Sequence, residues 1–309
     1  MLWVIITILA SFSQTLRSVF QKNIISEVGV VSSAYSRFIF ALPFSFLLLL
    51  LFVSFDDSIF LKASDKGTLT WLFFASICQI LFTVLLIKLF TLRSFAVGIA
   101  FSKTEVIQTT IFEIVILGFV LTSQVFLAIL IGFLGVLFIS KLNLFSSQRQ
   151  NKALTKQVIL GVFCGVFLGL SSVLYKVSLD SITEALLYKK VIILSCFALT
   201  FQTIVMGGYI IFFSKENLLK LILIWRKGLP VGFFGCSATF FWFYAFSLTD
   251  ATYVRAVGQL EIIFSLTISY LFYREKISVV ELIGIILFNY FILKFICREF
   301  KGITLRLEK

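Results

Sequence analysis

The hydrophobic pattern of this chain is a series of long apolar runs separated by short polar stretches. A helix needs about 20 mostly apolar residues to cross the hydrocarbon core of a bilayer. The predicted spans cover residues 2–21, 30–53, 69–90, 94–117, 122–141, 157–177, 186–213, 229–249, 251–272 and 278–297. A segment in lipid must satisfy its backbone hydrogen bonds internally, so each run is expected to be a helix. Pro43 lies in the middle of the second span and is expected to kink it, whereas Pro230 falls at the start of the eighth span, where its missing N–H costs nothing. The pattern predicts an all-α integral membrane protein with ten transmembrane helices.

The longest polar stretch divides these spans into two sets of five. It predicts a first repeat over residues 1–142, a linker over 143–157, a second repeat over 158–298 and a basic C-terminal tail over 299–309. Because five is an odd number, the second repeat must enter the membrane in the opposite orientation. Inverted repeats are typical of transporters, whose substrate site lies between the halves. The predicted fold is therefore two inverted five-helix repeats around a central cavity.

Two glutamates occupy matching places in the two halves. Glu105 ends the motif SFAVGIAFSKTE within residues 94–106, and Glu261 ends DATYVRAVGQLE within residues 250–262, 156 residues further on. Each lies inside an apolar run. Ionisable residues within membrane spans are costly and mark functional sites by default. We therefore expect these two helices to face each other across the cavity.

Composition and charge agree with a membrane protein. Hydrophobic residues make up 60% of the chain and charged residues only 14%, against about 25% charged in soluble domains. A net charge of +12 would suggest nucleic-acid binding in a soluble chain, but many of these cations lie at segment ends, where they meet water and lipid headgroups. The chain has no histidine and no CxxC pair. We expect a lipid bilayer and a small-molecule substrate as partners, and no nucleic acid, metal or cofactor.

Polar residues inside the spans are the candidate site. The candidates for substrate binding or coupling are Glu105, Glu261, Gln108, Gln259, Lys103, Arg255, Arg37, Gln14 and Tyr244. Further polar residues inside spans are Arg17, Gln79, Lys176 and Gln202. Glu105 shares a helix face with Gln108 and Phe112, which suits a cavity that hydrogen-bonds part of a solute and covers the rest. No residue is expected to be catalytic, since the chain has no phosphate-binding loop, zinc motif or nucleophile elbow.

Two roles remain open for the glutamates. In one, each pairs with a cation and only holds the bundle together; the available cations are Lys103, Arg255, Lys176 and Arg37. In the other, at least one lines the cavity and takes up a proton in one state of the protein. Buried ion pairs seldom add stability over apolar packing, which favours the second role. We therefore hypothesise proton coupling through one of the two carboxylates.

A short motif resembles a known family. The sequence YREKIS at residues 273–278 resembles the Gly-Glu-Arg-Leu-Thr turn after the penultimate helix in EamA-like members of the drug/metabolite transporter superfamily. The runs SFAVGIAFSKTEV and VGQLE resemble a bacterial subgroup of that family, and the similarity covers the whole chain. It implies a ten-helix transporter of small metabolites in a bacterial inner membrane, with both termini in the cytoplasm. The basic loops alone give conflicting orientations. The first repeat departs from the motif, because Phe119 stands where the second has Glu275.

These observations predict a secondary transporter that moves a small polar metabolite, such as an amino acid, by alternating access. The alternative is an exporter of lipophilic organic cations, since carboxylates and aromatic rings bind cations. A membrane-embedded lipid-modifying enzyme is disfavoured because the clustered Asp, His or Ser residues of such enzymes are missing. A non-transporting scaffold has no need of two-sided symmetry. The oligomeric state stays open between monomer and homodimer.

Overall fold

A computed structural model describes residues 2–53, 58–92, 104–120, 151–183, 186–214 and 218–274, leaving aside the side chains of residues 58 and 151–158. This part of the chain is helical and contains no strand. The predicted spans over 122–141 and 278–297, the tail, Lys103 and Glu275 lie outside the described residues.

Twelve α-helices lie within the described residues. They are α1 (Leu2–Val28), α2 (Val30–Ile39), α3 (Leu42–Phe52), α4 (Ser58–Ala63), α5 (Lys66–Leu92), α6 (Glu105–Leu117), α7 (Asn151–Asp180), α8 (Leu187–Phe213), α9 (Leu218–Leu223), α10 (Trp225–Leu248), α11 (Ala251–Gly258) and α12 (Glu261–Tyr273). Within this part of the chain, seven segments are long and apolar enough to cross a membrane, counting α2 with α3 and α11 with α12 as one segment each.

Large apolar side chains cover the outside of these helices. Leu50 and Leu51 on α3 are 64% and 65% exposed, and Phe212 and Phe213 on α8 are 78% and 77% exposed. An apolar surface of this kind is stable against lipid and unfavourable against water. Together with the spanning helices, it makes this a multi-pass membrane protein.

The predicted span over residues 30–53 is bent at its proline. α2 ends at Ile39 and α3 begins at Leu42, with Pro43 in its first turn. Proline has no N–H to donate and its ring crowds the preceding turn, which explains the break. Gly232 of α10 accommodates the bend, because a side chain there would collide with the backbone of Phe40. The kink predicted from Pro43 is confirmed.

The predicted span over residues 251–272 is also interrupted, just before Glu261. The backbone N–H groups of Leu260 and Ile262 donate to the carbonyls three residues earlier, at 3.1 and 3.0 Å, instead of four residues earlier. Such a tight turn inside a membrane helix often marks a hinge or a functional position. α6 likewise begins at Glu105. The two glutamates therefore hold the same place, the first residue of a 13-residue helix.

Two helices begin earlier than the sequence pattern predicts. α7 starts at Asn151, inside the predicted linker, because its Lys, Ala, Leu and Gln residues favour helix even outside an apolar run. α10 starts at Trp225, so Pro230, predicted at the beginning of a span, lies more than one turn inside the helix.

Close contacts between helices bring polar residues to the centre. α1 packs along α10, and α7 lies between α5 and α6. A side chain added at Gly169 of α7 would stand 2.9 Å from the backbone nitrogen of Thr109, and one at Gly165 would meet Gln108. The absence of side chains at these two positions lets α6 approach α7 closely.

Candidate functional site

Both predicted glutamates are buried at the start of their helices. Glu105 is 0% exposed and Glu261 is 2% exposed. A carboxylate in the first turn of a helix is favoured by the positive end of the helix dipole. Both glutamates thus stand at the positive end of a helix dipole within an apolar bundle.

Gln14 of α1 connects Glu261 to the tryptophan of α10. Its amide nitrogen donates to Oε2 of Glu261 at 2.9 Å, and its amide oxygen accepts from Nε1 of Trp242, also at 2.9 Å. Gln14 is 1% exposed. The structure thus brings together two of the predicted site residues, Gln14 and Glu261, across 247 positions of sequence.

Arg255 of α11 is fixed on two sides. Its Nε donates to the hydroxyl of Ser172 on α7 at 2.7 Å, and its guanidinium carbon lies 4.3 Å from the centre of the Trp242 ring. Stacking on an aromatic face suits the flat guanidinium group. Glu105 and Glu261 both attract Arg255, so these three predicted residues belong to one electrostatic cluster.

Arg37 of α2 is tied to α5. Its Nη1 donates to the hydroxyl of Thr83 at 2.9 Å. With the amide of Gln79 oriented so that its oxygen faces Arg37, that oxygen accepts from Nη1 at 2.8 Å and from Nη2 at 3.0 Å, and the amide nitrogen donates to Ser171 of α7. Glu261 also attracts Arg37. Arg37 therefore belongs to the electrostatic cluster, and its hydrogen-bond partners, Thr83 and Gln79, are neutral.

Arg17 of α1 is a third buried arginine, which the sequence ranked only as a further polar residue. It is 0% exposed, and its Nη2 donates to the hydroxyl of Ser18 at 3.2 Å. Glu261 attracts it and Arg255 repels it. Its position three residues after Gln14, on the same face of α1, is the signal that identifies it as a partner of the cluster.

The remaining predicted residues lie away from these charges or at their edge. Gln108 donates to the backbone carbonyl of Val162 at 3.3 Å, so it contributes to the contact between α6 and α7. Gln259 is buried in the turn between α11 and α12. Tyr244 packs against Phe240, with ring centroids 5.9 Å apart, beside the apolar core. Lys103 lies outside the described residues.

Comparison with known proteins identifies the family. The family model described as the EamA-like transporter family matches residues 1–141 and again residues 155–289. The chain belongs to the EamA-like transporter family. A solved crystal structure of a protein matches 94% of this chain and 94% of its own, with a TM-score of 0.66 and 11% sequence identity, which supports the fold alone. No curated protein sequence matches the chain.

The predicted EamA-like resemblance is confirmed by this match, which places the chain in the drug/metabolite transporter superfamily. The two matched segments also divide the cluster. Gln14, Arg17, Arg37 and Glu105 belong to the first EamA segment, whereas Arg255 and Glu261 belong to the second. The buried charges therefore lie where the two EamA segments contact each other.

One buried acid of the first EamA segment was missed. Glu113 of α6 is 0% exposed, and its two carboxylate oxygens accept the backbone N–H groups of Ala251 and Thr252 at 2.7 and 2.8 Å. It caps the start of α11, four residues before Arg255. A second acid within the apolar sequence EVIQTTIFEIVIL was the available signal.

Lys176 of α7 was a proposed partner for the glutamates, but it contacts other groups. Its Nζ lies 3.1 Å from the carboxylate of Asp180 and 4.0 Å from that of Asp250, and it donates to the carbonyl of Phe246 at 3.3 Å. Lys176 joins the end of α7 to the end of α10. Among the described residues of this EamA-like protein, the cations that Glu261 attracts are instead arginines.

Proposed function

We propose that this chain is a secondary transporter that moves a small polar metabolite across the membrane by alternating access. The hydrogen bond between Gln14 and Glu261 carries the proposal, because it joins the two EamA segments at a buried, charged contact. Membership in a family of transporters supplies the class of activity. The cluster supplies a place where a polar solute would be held.

The energetic cost of the cluster supports a functional role. Arg17, Arg37 and Arg255 are all at most 3% exposed, as are Glu105 and Glu261. Removing charges from water is expensive, and a buried ion pair is often no more stabilising than apolar residues of the same size. Intramembrane charges are therefore best explained by the passage of a polar solute or an ion.

The proposal includes an architecture. The chain would form ten helices as two inverted repeats, divided by the linker at residues 143–157, with a central cavity between them. It would lie in a bacterial inner membrane with both termini in the cytoplasm, as a monomer or homodimer. The turn at Gln259 and Leu260 is a natural hinge, because local changes there reorient Glu261 against α1.

Export of lipophilic cations is the second candidate. Glu105 and Glu261 attract Arg255, whose guanidinium group lies over the rings of Trp242 and Phe246. Carboxylates and aromatic faces both attract cations, which favours this candidate. However, the ring of Trp242 is already covered by Arg255 at 4.3 Å. A lipophilic cation would also meet three buried arginines, so a polar metabolite is the better fit.

Counterflow in proteoliposomes tests the proposal. Vesicles containing the purified protein and unlabelled amino acids, organic acids or organic cations would be diluted into traces of the same labelled solute. Transient accumulation of label for one class is the expected result. A matched control is Lys227→Gln, which removes an exposed ion pair with Glu27, 2.6 Å long, and should leave counterflow unchanged. Binding of a solute without any counterflow would exclude a transporter of that solute.

A further inference from the structure

We infer that Arg17 and Arg255 form a binding site for the carboxylate of the transported solute. The inference rests on the proposed transport function and names the class of solute. It follows from three observations: the charge balance of the cluster, the donor groups that its arginines leave without partners, and the position of these two arginines on different EamA segments.

The charge balance of the described cluster is positive. It contains the three guanidinium groups of Arg17, Arg37 and Arg255 and the two carboxylates of Glu105 and Glu261. These five groups thus carry one positive charge in excess. A net charge buried in an apolar bundle is unfavourable, and one additional carboxylate would neutralise it. A solute that carries a single negative charge fits this balance.

The nearby acidic residues have other partners. Glu113 accepts two backbone N–H groups at the start of α11. Asp180 and Asp250 lie against Lys176 at 3.1 and 4.0 Å. The described carboxylates that attract the three arginines are instead Glu105 and Glu261.

Arg255 is held ready to bind an anion. Its Nε donates to the hydroxyl of Ser172, and its flat face packs on the Trp242 ring at 4.3 Å. Its Nη1, however, has no hydrogen-bond partner among the described residues. A guanidinium that is already fixed in place loses little conformational freedom on binding, so its remaining donors are well suited to a carboxylate.

Arg17 has still more unused donors. Its Nε and Nη1 both lack hydrogen-bond partners among the described residues, and its Nη2 reaches only the neighbouring Ser18. Buried donors without partners are costly, and a charged acceptor is the strongest partner they can gain. Arg37 differs, because Thr83 and Gln79 already accept from both of its terminal nitrogens. Only its Nε lacks a partner among the described residues. The terminal nitrogens, which form the fork that grips a carboxylate, are thus occupied in Arg37, whereas Arg17 and Arg255 each have a free Nη1.

A bound carboxylate would also bring the two EamA segments together. Arg17 lies on α1 and Arg255 on α11, and the two guanidinium groups repel each other. A carboxylate has two oxygens with about four acceptor positions, enough to accept from both arginines. By replacing repulsion with two charge-assisted hydrogen bonds, the solute would favour the occluded state over the open one. The carrier would then reorient mainly when it is loaded.

A set of matched solutes tests this inference on the purified full-length protein. The probes are neutral amino acids, the corresponding α-keto acids and the corresponding amino acid methyl esters. All three have the same side chain, but the amino acid is a zwitterion, the keto acid an anion and the ester a cation. We expect a keto acid to raise the melting temperature and bind most tightly, and an amino acid to bind more weakly. The ester should bind at least about tenfold more weakly than the keto acid. An equal response to acid and ester, including no response to either, would overturn the inference, as would stabilisation by organophosphates but not by carboxylates.

Two arginine variants separate binding from folding. Arg17→Gln removes the surplus charge, so the protein without solute should melt at an equal or higher temperature while its affinity for the keto acid falls at least about tenfold. Arg37→Gln removes the same charge but breaks the contacts with Thr83 and Gln79. It should lower the melting temperature and keep the preference for acid over ester. If Arg17→Gln keeps full affinity, the site is wrong.

Different results would contradict the transport function and the carboxylate site. Binding of keto acids without counterflow would contradict the transport function and leave the carboxylate site standing. Counterflow of esters or organic cations that equals or exceeds that of the acids would contradict the carboxylate site and leave the transport function standing.

Discussion

Glu113 accepts the backbone N–H of Thr252 at 2.8 Å, and so a buried side chain of the first EamA segment caps a helix of the second. The hydroxyl of Thr252 also lies 3.3 Å from that of Thr110, one turn before Glu113. The contact holds the start of α11, which carries Arg255 at its other end. The cap therefore resists movement of the two segments relative to each other at the start of α11.

We expect Glu113→Ala to destabilise the protein. Loss of a helix cap costs about 0.5–2 kcal/mol, and the two N–H groups would be left buried, so a total of about 1–3 kcal/mol is reasonable. The measurement is the melting temperature in detergent. Thr110→Val is the matched control, because it removes the 3.3 Å hydroxyl contact with Thr252 and a 2.8 Å hydrogen bond within α6 but leaves the cap in place, and it should have a smaller effect. Equal melting temperatures for Glu113→Ala and the parent protein would show that the cap contributes nothing.

Whether a site residue could be predicted from the sequence depends on the type of residue. Glu105 and Glu261 could be predicted because an acid within an apolar run is rare and costly. Their partners could not, since Gln14 and Glu261 are 247 residues apart and meet only through the contact of α1 with α12. Glu113 was overlooked because the free N–H groups that it caps belong to a helix 138 residues away.

The helix boundaries show the same distinction. Pro43 predicts its own break, since the missing N–H is a property of that residue. The turn at Gln259 and Leu260 has no proline, and the sequence there predicts an unbroken span. Its tight hydrogen bonds instead follow from the position of Glu261 against Gln14 and of Gly258 against Trp242.

Proton coupling through a buried carboxylate predicts a change in pH dependence. Glu105→Gln and Glu261→Gln each remove one buried negative charge. In proteoliposomes, at least one of these variants should lose flux driven by a pH jump while keeping counterflow of the same solute at equal pH. Glu27→Gln is the control, because Glu27 is exposed and pairs with Lys227. If both buried variants keep the full response to the pH jump, coupling does not pass through either carboxylate.

The Gln14 bridge predicts a measurable coupling between Trp242 and Gln14. Gln14→Leu leaves the indole N–H and one oxygen of Glu261 without this partner, and Trp242→Phe keeps an aromatic ring but loses the N–H. In a double-mutant cycle on the melting free energy, we expect the two changes to interact by about 0.5–1.5 kcal/mol. Strictly additive effects would mean that the 2.9 Å hydrogen bond contributes no net stability. Ser237→Ala, on the exposed side of α10, should not couple to Gln14.

The contact of α6 with α7 predicts that alanine at Gly169 destabilises the protein, unlike alanine at a glycine outside this contact. In Gly169→Ala the new methyl group would lie 2.9 Å from the backbone nitrogen of Thr109, which cannot move without shifting the helix that begins at Glu105. We expect a loss of about 1–3 kcal/mol in stability, as for other overpacked sites, together with weaker solute binding. Gly208→Ala on α8 is the matched control, since nothing lies within 4 Å of its new methyl group. Alanine is the better helix former by about 0.5–1 kcal/mol, so this variant should be at least as stable as the parent. If Gly169→Ala is equally well tolerated, the close approach of α6 to α7 does not set the position of Glu105.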